Sequence, residues 1–447
     1  MEPLEEIRQF LHSRRGGRSL RALLVFGNPL GNAVGDTVIA TWHYRCLKRA
    51  FPGVRLSVWT PDREIWEAVC GEDIQCKAYL GVGGWKKSYD LVVLHWTPRQ
   101  AAKCFSPRAP SLALIDLSDA ASCCRYRLGA SQWRRIPLRL PVNHSRRILE
   151  IYEGLGLNAE VPFPTRRAAN AKPGGPIYLN PYAMNGSKCL NAALLRGLLE
   201  VIGSFPGTPA VLCPGDPGGY PGRDEPVYRQ LQAIVRDYAK SNKNLMVLPS
   251  LTMRAYIDIV ANSRLVIGPD TSSQHIAATF GVPSISCYPS DSGYRYYYWG
   301  QLGKTAFCFR SPPETRRHVA AFCRLIFYLA HKLAGYECDS IAVPPTMLRR
   351  RVISSCLDEL HGAWDALAEQ DVPCKRKRDR AKSLVLSLRS GIAPAWQPHL
   401  MREIEQITAE LCGSDQERRG EARRIYLSLR QDFFAIKALR MLVDLPH

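Results

Sequence analysis

Short apolar runs alternate with longer amphipathic segments over about the first 310 residues of the chain. Ala22–Gly27, Leu91–His95 and Leu112–Asp116 have the length and apolar character of buried strands. Between the first two, Thr37–Ala50 has helical spacing and ends before Phe51-Pro52-Gly53. Strands that alternate with helices in this way predict βαβ units and therefore a parallel sheet.

The same alternation restarts after residues 158–176, a segment rich in proline and glycine that we interpret as a linker. The second block runs from the strand Ile177–Asn180 to the strand Ser284–Tyr288. Two such blocks predict an α/β protein with two doubly wound, Rossmann-like domains that face each other across a cleft. After residue 334 the pattern changes to helical segments with basic loops. We therefore predict domains over residues 1–165 and 166–334, and a helical C-terminal extension over residues 335–447.

The composition is that of a globular protein, with 46% hydrophobic and 22% charged residues among 447. No apolar run approaches the ~20 residues that a membrane helix needs. The N-terminus begins with acidic residues and lacks the apolar core of a secretory signal. Fifteen cysteines without a CxxC pair predict reduced thiols in a cytoplasmic protein rather than a disulfide framework or a zinc site.

The formal net charge of +20 indicates either an anionic partner or a basic solvated surface. Nucleic acid, an anionic membrane and anionic small substrates would each account for it. The chain shows no basic module with interleaved aromatic residues of the kind typical of RNA binding, so no specific nucleic-acid partner is predicted. The positive residues concentrate in four groups: Arg14–Arg21, Arg125–Arg147, Arg349–Arg351 and Lys375–Arg378.

The loop after the first strand is the first candidate for chemistry. Its glycines Gly31 and Gly35 allow a tight turn and a close approach of the backbone to another group. Asp36 then falls at the N-cap or in the first turn of the following helix, where a carboxylate is a good cap. The alternative is a carboxylate that projects into the cleft as a general base. The loop matches neither the GxGxxG dinucleotide spacing nor a phosphate loop that ends in GK[ST].

Two further loops follow strands of the second block. After Ile177–Asn180, Ser187 and Lys188 could contact a phosphate, although a solvated lysine is the simpler interpretation. The segment Ser263–Pro289 reads as strand, polar loop, helix start and second strand, with His275 in the first helical turn. A helix N-terminus at the carboxyl end of a parallel strand is where open α/β sheets bind phosphorylated ligands. His275 could equally be a structural histidine, and Asp270 a simple N-cap.

Three features occur in an order that resembles one known family: the Gly35-Asp36 helix start after the first strand, the loop from Asn180-Pro181 to Ser187-Lys188, and the strand-and-helix unit that ends in Gly281-Val282-Pro283. The strongest parts of the similarity are Gly35–Thr41, Leu47–Gly53, and Asp270-Thr271 followed by His275–Ala278 and Gly281-Val282-Pro283. Over roughly residues 20 to 310 the chain resembles the ADP-heptose:lipopolysaccharide heptosyltransferases, which are glycosyltransferases of the GT-B fold. Two departures stand out. The family usually has glycine where this chain has Ser272, and the loop before Gly35 is longer here, with Pro29 and Asn32 in it.

The resemblance implies a role for each candidate residue. Asp36 corresponds to the catalytic base of the family, and Lys188, with Ser187 beside it, to its phosphate-binding lysine. Asp270 corresponds to the carboxylate that holds the hydroxyls of the donor sugar. The helix start at Thr271, Ser272 and Ser273 would bind the diphosphate, with His275 close by.

The implied reaction moves a heptose-like sugar from a nucleotide-diphosphate donor, with an ADP-sugar as the first expectation, to an acceptor hydroxyl. Closure of the two domains would align the partners. No DxD-like pair stands out at a strand end, so we expect no obligatory divalent metal, and no other cofactor is predicted. The acceptor would bind the N-terminal domain and would be anionic or membrane-presented, which implies a cytoplasmic enzyme at the periphery of the inner membrane. A small soluble acceptor is the rival. A GT-B-like sugar-nucleotide epimerase or hydrolase, and a non-catalytic nucleotide-sugar or nucleic-acid binding module, stay open as alternatives.

Overall fold

The computed structural model describes residues 2–15, 18–27, 34–71, 74–77, 89–95, 112–117, 124–136, 148, 151–157, 175–183, 186–203, 210–215, 226–269, 271–288 and 306–310. The interpreted linker lies almost entirely outside these residues, as do the helical extension predicted over residues 335–447 and Asp270. The predicted domain boundaries therefore stay predictions. Within the described part of the chain, no helix combines the length and the apolar character needed to cross a bilayer.

The first block forms a seven-stranded sheet in the order β3-β2-β1-β4-β5-β6-β7. The first five strands are parallel, whereas β6 is antiparallel to β5 and β7 to β6. Helices α1 (Pro3–Arg15), α2 (Val34–Ala50) and α3 (Arg63–Cys70) belong to this block. The strands are β1 Arg21–Phe26, β2 Arg55–Trp59, β3 Gln75–Lys77, β4 Leu91–His95, β5 Ala113–Leu117, β6 Arg125–Leu128 and β7 Arg134–Arg135.

The second block forms a six-stranded, all-parallel sheet in the order β10-β9-β8-β11-β12-β13. This is the strand order of a doubly wound dinucleotide-binding fold, and its switch point lies between β8 and β11. The strands are β8 Ile177–Leu179, β9 Val211–Pro214, β10 Leu245–Leu248, β11 Leu265–Gly268, β12 Ser284–Tyr288 and β13 Ala306–Arg310. The helices are α4 Ala192–Gly203, α5 Pro226–Ser241, α6 Met253–Asn262 and α7 Ser272–Phe280.

Helices join the two sheets through a shared apolar cluster. In this cluster Val38 of α2 and Ile65 of α3 pack with residues of the second block that include Ile257 of α6 and Ile276 of α7. The fully buried indole of Trp42 donates a hydrogen bond from Nε1 to Oγ1 of Thr279, at 2.8 Å. The helix α2 lies against α7, and α3 lies against α6, so the two blocks meet in a buried apolar contact.

The prediction of two parallel α/β blocks is confirmed, but several elements were not predicted. Strand β6 was not predicted because it contains Arg125 and Arg127. Their guanidinium groups lie over the ring of Trp133, at 4.4 and 5.1 Å from its centroid, while Tyr126 between them is buried. An arginine-rich strand of this kind has no apolar run to reveal it. The other elements without a prediction are β3, β7, β13, α1 and α3.

Candidate active site

The N-terminal turns of α2 and α7 meet in the contact between the two blocks. A Cβ atom placed on Gly35 would lie 2.8 Å from Cδ2 of His275 and 3.5 Å from the Cα atom of Ser272. A side chain at position 35 would therefore collide with the imidazole, and glycine permits the close approach. The contact brings the turn that carries Asp36 onto the helix of the second sheet.

Asp36 is the third residue of α2, as the prediction of a first-turn carboxylate requires. Its side chain is largely buried, with 8% relative exposure. The next residue, Thr37, donates from Oγ1 to Oδ2 of Asp62 at 2.8 Å and so fixes this turn to the start of α3. A carboxylate here is favoured by the positive end of the helix dipole, which accounts for its burial without any catalytic role.

The first turn of α7 is almost completely buried. Thr271 precedes it as an extended N-cap residue whose side chain makes no capping hydrogen bond. Instead, the hydroxyls of Thr271 and Ser273 bond to each other at 2.8 Å, and Ser272 Oγ bonds to the hydroxyl of Tyr256 at 2.9 Å. The backbone N–H groups of Ser272 and Ser273 open the helix, where the preceding turn offers no acceptor. The hydroxyls are thus engaged internally, and the backbone donors carry the anion-binding potential of this turn.

Lys188 and His275 interact electrostatically. Burial and, secondly, the positive charge of Lys188 lower the pKa of His275 to about 3. His275 is therefore neutral near pH 7, and the positive charge at this position comes from Lys188. Lys188 is half-buried at the end of a 3₁₀ turn, Gly186–Lys188, whereas Ser187 is exposed.

The structure thus brings together the turn of Asp36, the α7 start at Thr271, Ser272 and Ser273, His275 and Lys188. Asp270, the remaining predicted site residue, lies outside the described residues, so its role stays a prediction. Sequence reasoning did not select Asn180 as a site residue, although it follows β8 directly. Its side-chain amide donates to Thr271 and Ser273. Its position at the carboxyl end of a parallel strand was a signal that could have found it.

A second polar cluster also went unpredicted. His43 lies on α2, fully buried, and its Nδ1 is 2.9 Å from the hydroxyl of Tyr152, while its Nε2 contacts Nδ1 of His95 at the end of β4. Burial lowers the pKa of His43 to about 3 and raises that of Tyr152. Both side chains are therefore neutral at physiological pH. Because the three residues lie far apart in sequence, no local motif predicts this cluster.

Comparisons with known proteins give one family-model match and several structural neighbours. Residues 228–323 match the family model described as glycosyltransferase family 9 (heptosyltransferase). The solved E. coli ADP-heptose lps heptosyltransferase II has a TM-score of 0.50 and 12% identity, over 70% of this chain and 98% of that one. The E. coli heptosyltransferase WaaC with ADP has a TM-score of 0.48 and 15% identity, over 69% of this chain and 100% of that one.

A search of curated protein sequences found no match. The structural likeness confirms the predicted GT-B, α/β fold class. The family-model match confirms the predicted resemblance to heptosyltransferases and the prediction of a glycosyltransferase enzyme.

Proposed function

We propose that this heptosyltransferase-like glycosyltransferase transfers a sugar from a nucleotide-diphosphate donor to an acceptor hydroxyl, with Asp36 as the general base. The observation that carries the proposal is the contact of Gly35 with His275 and Ser272. It sets a carboxylate-bearing turn directly against a helix N-terminus suited to a diphosphate. In this scheme residues 1–165 form the acceptor side and residues 166–334 the donor side.

The donor side would stabilise the leaving group. As the bond between the anomeric carbon and the phosphate oxygen breaks, negative charge grows on the diphosphate. The ammonium of Lys188 and the N–H groups that open α7 would hold that charge. Neutral His275 would help to shape this pocket without adding charge. We assign Asp270 to the hydroxyls of the donor sugar. The name of the similar heptosyltransferase II makes an ADP-sugar the first donor to test.

The acceptor side would supply the proton acceptor. Asp36 would take the proton of the acceptor hydroxyl while that oxygen forms its bond to the anomeric carbon. We propose an anionic or membrane-presented acceptor and a cytoplasmic enzyme at the inner membrane. The support is the basic strand β6 of the N-terminal sheet, where Arg127 lies over Trp133 beside Arg125, whose guanidinium is also paired with Asp116.

The substitution Asp36→Asn tests the proposal. We expect a loss of turnover of about 10²-fold or more, because general-base catalysis contributes about that much, with unchanged affinity for ADP. Asp62→Asn is the matched control, since an amide oxygen can still accept the hydrogen bond from Thr37. It should leave turnover within about threefold of the wild type.

ADP release is measured with an ADP-sugar and with acceptors either on anionic vesicles or in solution, and ADP affinity by calorimetry. Near-wild-type turnover of Asp36→Asn would return Asp36 to a capping role. Conversion of the donor without any acceptor would favour an epimerase or hydrolase. Tight binding of the donor without turnover on any acceptor would favour a binding module.

A further inference from the structure

Asn180 lies where the two central strands of the second sheet end. Its backbone N–H donates to the carbonyl of Ile267 at 2.9 Å, which extends the pairing of β8 with β11 by one residue. A Cβ atom on Gly268 would lie only 2.5 Å from the carbonyl oxygen of Asn180. The glycine therefore lets the two strand ends approach closely, and it sets Asn180 at the switch point of the sheet.

The side-chain amide of Asn180 is bonded on both sides. The backbone N–H of Tyr182 can only donate, and it donates to Oδ1 at 3.0 Å. This bond turns Nδ2 toward α7, where it donates to Oγ1 of Thr271 at 3.2 Å and to Oγ of Ser273 at 3.4 Å. With 6% relative exposure, Asn180 makes these bonds away from water, where a lost partner is costly.

Asn180 also immediately precedes the loop that carries Lys188. The carbonyl of the next residue, Pro181, accepts a hydrogen bond from the backbone N–H of Leu190 at 3.0 Å, which closes the loop just after Lys188. The hydroxyl of Tyr228 holds the same loop through the carbonyl of Ala183, at 2.8 Å. Asn180 is thus bonded to the first turn of α7, and the residue that follows it is bonded to the end of the Lys188 turn.

We propose that Asn180 is a positioning residue that holds the first turn of α7 and the turn of Lys188 at the spacing a nucleoside diphosphate requires. This inference rests on the proposed function of the same site. The type of residue suits the task. An amide supplies the two N–H donors that the hydroxyls accept, without the negative charge that a carboxylate would place near the diphosphate.

Two variants and one control test the inference. In Asn180→Ala both bonds to α7 are lost, and we expect ADP affinity to fall about tenfold and the donor KM to rise similarly, as for one net buried hydrogen bond. The acceptor KM should not change. Asn180→Asp keeps the acceptor for Tyr182 but loses the two N–H donors and adds a negative charge near the diphosphate, so its loss of ADP affinity should exceed that of Asn180→Ala. Ile234→Val, in the core of the same block, should leave ADP affinity unchanged.

Calorimetry with ADP on the full chain distinguishes the outcomes. If wild type binds ADP and both Asn180 variants bind it within twofold, the positioning role is wrong while the proposed function stands. Equal increases in the donor and acceptor KM would also overturn it, because they indicate a general structural defect. If Asn180→Ala does not fold, the ADP affinity of Asn180→Asp decides. If wild type binds no nucleoside diphosphate, the proposed function itself fails.

Discussion

Mild acid should destabilise the protein through two buried histidines. His43 and His275 both have a pKa of about 3 in the folded chain, chiefly because burial penalises the charged imidazole. In the unfolded chain each regains a pKa of about 6.5. At mildly acidic pH the two imidazoles are therefore protonated in the unfolded state but neutral in the folded state. The stability from these groups is fully present above pH 6.5 and is lost as the pH falls from there toward 3.

The size of the effect between pH 7.5 and 5.5 depends almost entirely on the unfolded state. Over that window the folded imidazoles stay neutral, since their pKa lies more than two units lower. Each unfolded imidazole goes from about 10% to about 90% protonated, which favours unfolding by about 1.4 kcal/mol. Together the two histidines should lower the free energy of unfolding by about 2.7 kcal/mol.

Urea unfolding followed by circular dichroism at pH 7.5, 6.5 and 5.5 measures the loss. The variant His43→Asn should lose about 1.4 kcal/mol less than the wild type across this window, whatever its stability at pH 7.5. His12→Asn, which removes a histidine from an exposed position of α1, is the matched control. If His43→Asn loses as much as the wild type, His43 is not held neutral by burial and the reasoning fails.

Two further predictions concern the interdomain contact and the donor site. Thr279→Val removes the hydrogen-bond acceptor of the buried Trp42 indole, and we expect it to lower the free energy of unfolding by about 1–3 kcal/mol in urea titrations. Thr279→Ser keeps the hydroxyl and should retain most of the wild-type stability. A Thr279→Val variant as stable as the wild type would contradict the hydrogen bond. Lys188→Ala should weaken ADP binding less at high salt than at low salt, because a point charge is screened; equal affinities of variant and wild type in calorimetry would remove Lys188 from the site.

Burial explains which parts of the fold could be predicted. Leu91–His95 and Ser284–Tyr288 were predicted with the observed bounds, because each is a short uncharged run beside turn-forming residues and lies in the interior of its sheet. The helix α2 begins at Val34 rather than Thr37, since the first turn contains Gly35, which sequence rules place in a loop. Strand β6 escaped prediction because its exposed face is made of arginines, whose aliphatic and guanidinium groups cover Trp133.

The candidate site was only partly predictable for a different reason. The local pattern around Thr271, His275 and Gly281 predicted a strand, a helix start and a helix end. The structure contains all three, with Gly281 as a left-handed C-cap. The approach of Gly35 to His275 joins positions far apart in sequence, and no local pattern encodes it. The position of Asn180 at the end of a strand was visible in the sequence, but its role was not, since the partners of its side chain lie about 90 residues later.

The contact between α2 and α7 changes the role expected of domain closure. Closure of the two domains was predicted to align the reaction partners, which assumes two walls that are separate before closure. Instead, Gly35 already touches His275, and Trp42 is bonded to Thr279 farther along the same pair of helices. Opening that contact would expose the apolar cluster around Val38 and Ile276 and leave the buried indole without its partner. The turn of Asp36 and the start of α7 are therefore packed as one unit. We expect any closure to change what surrounds these two helix ends rather than the distance between them.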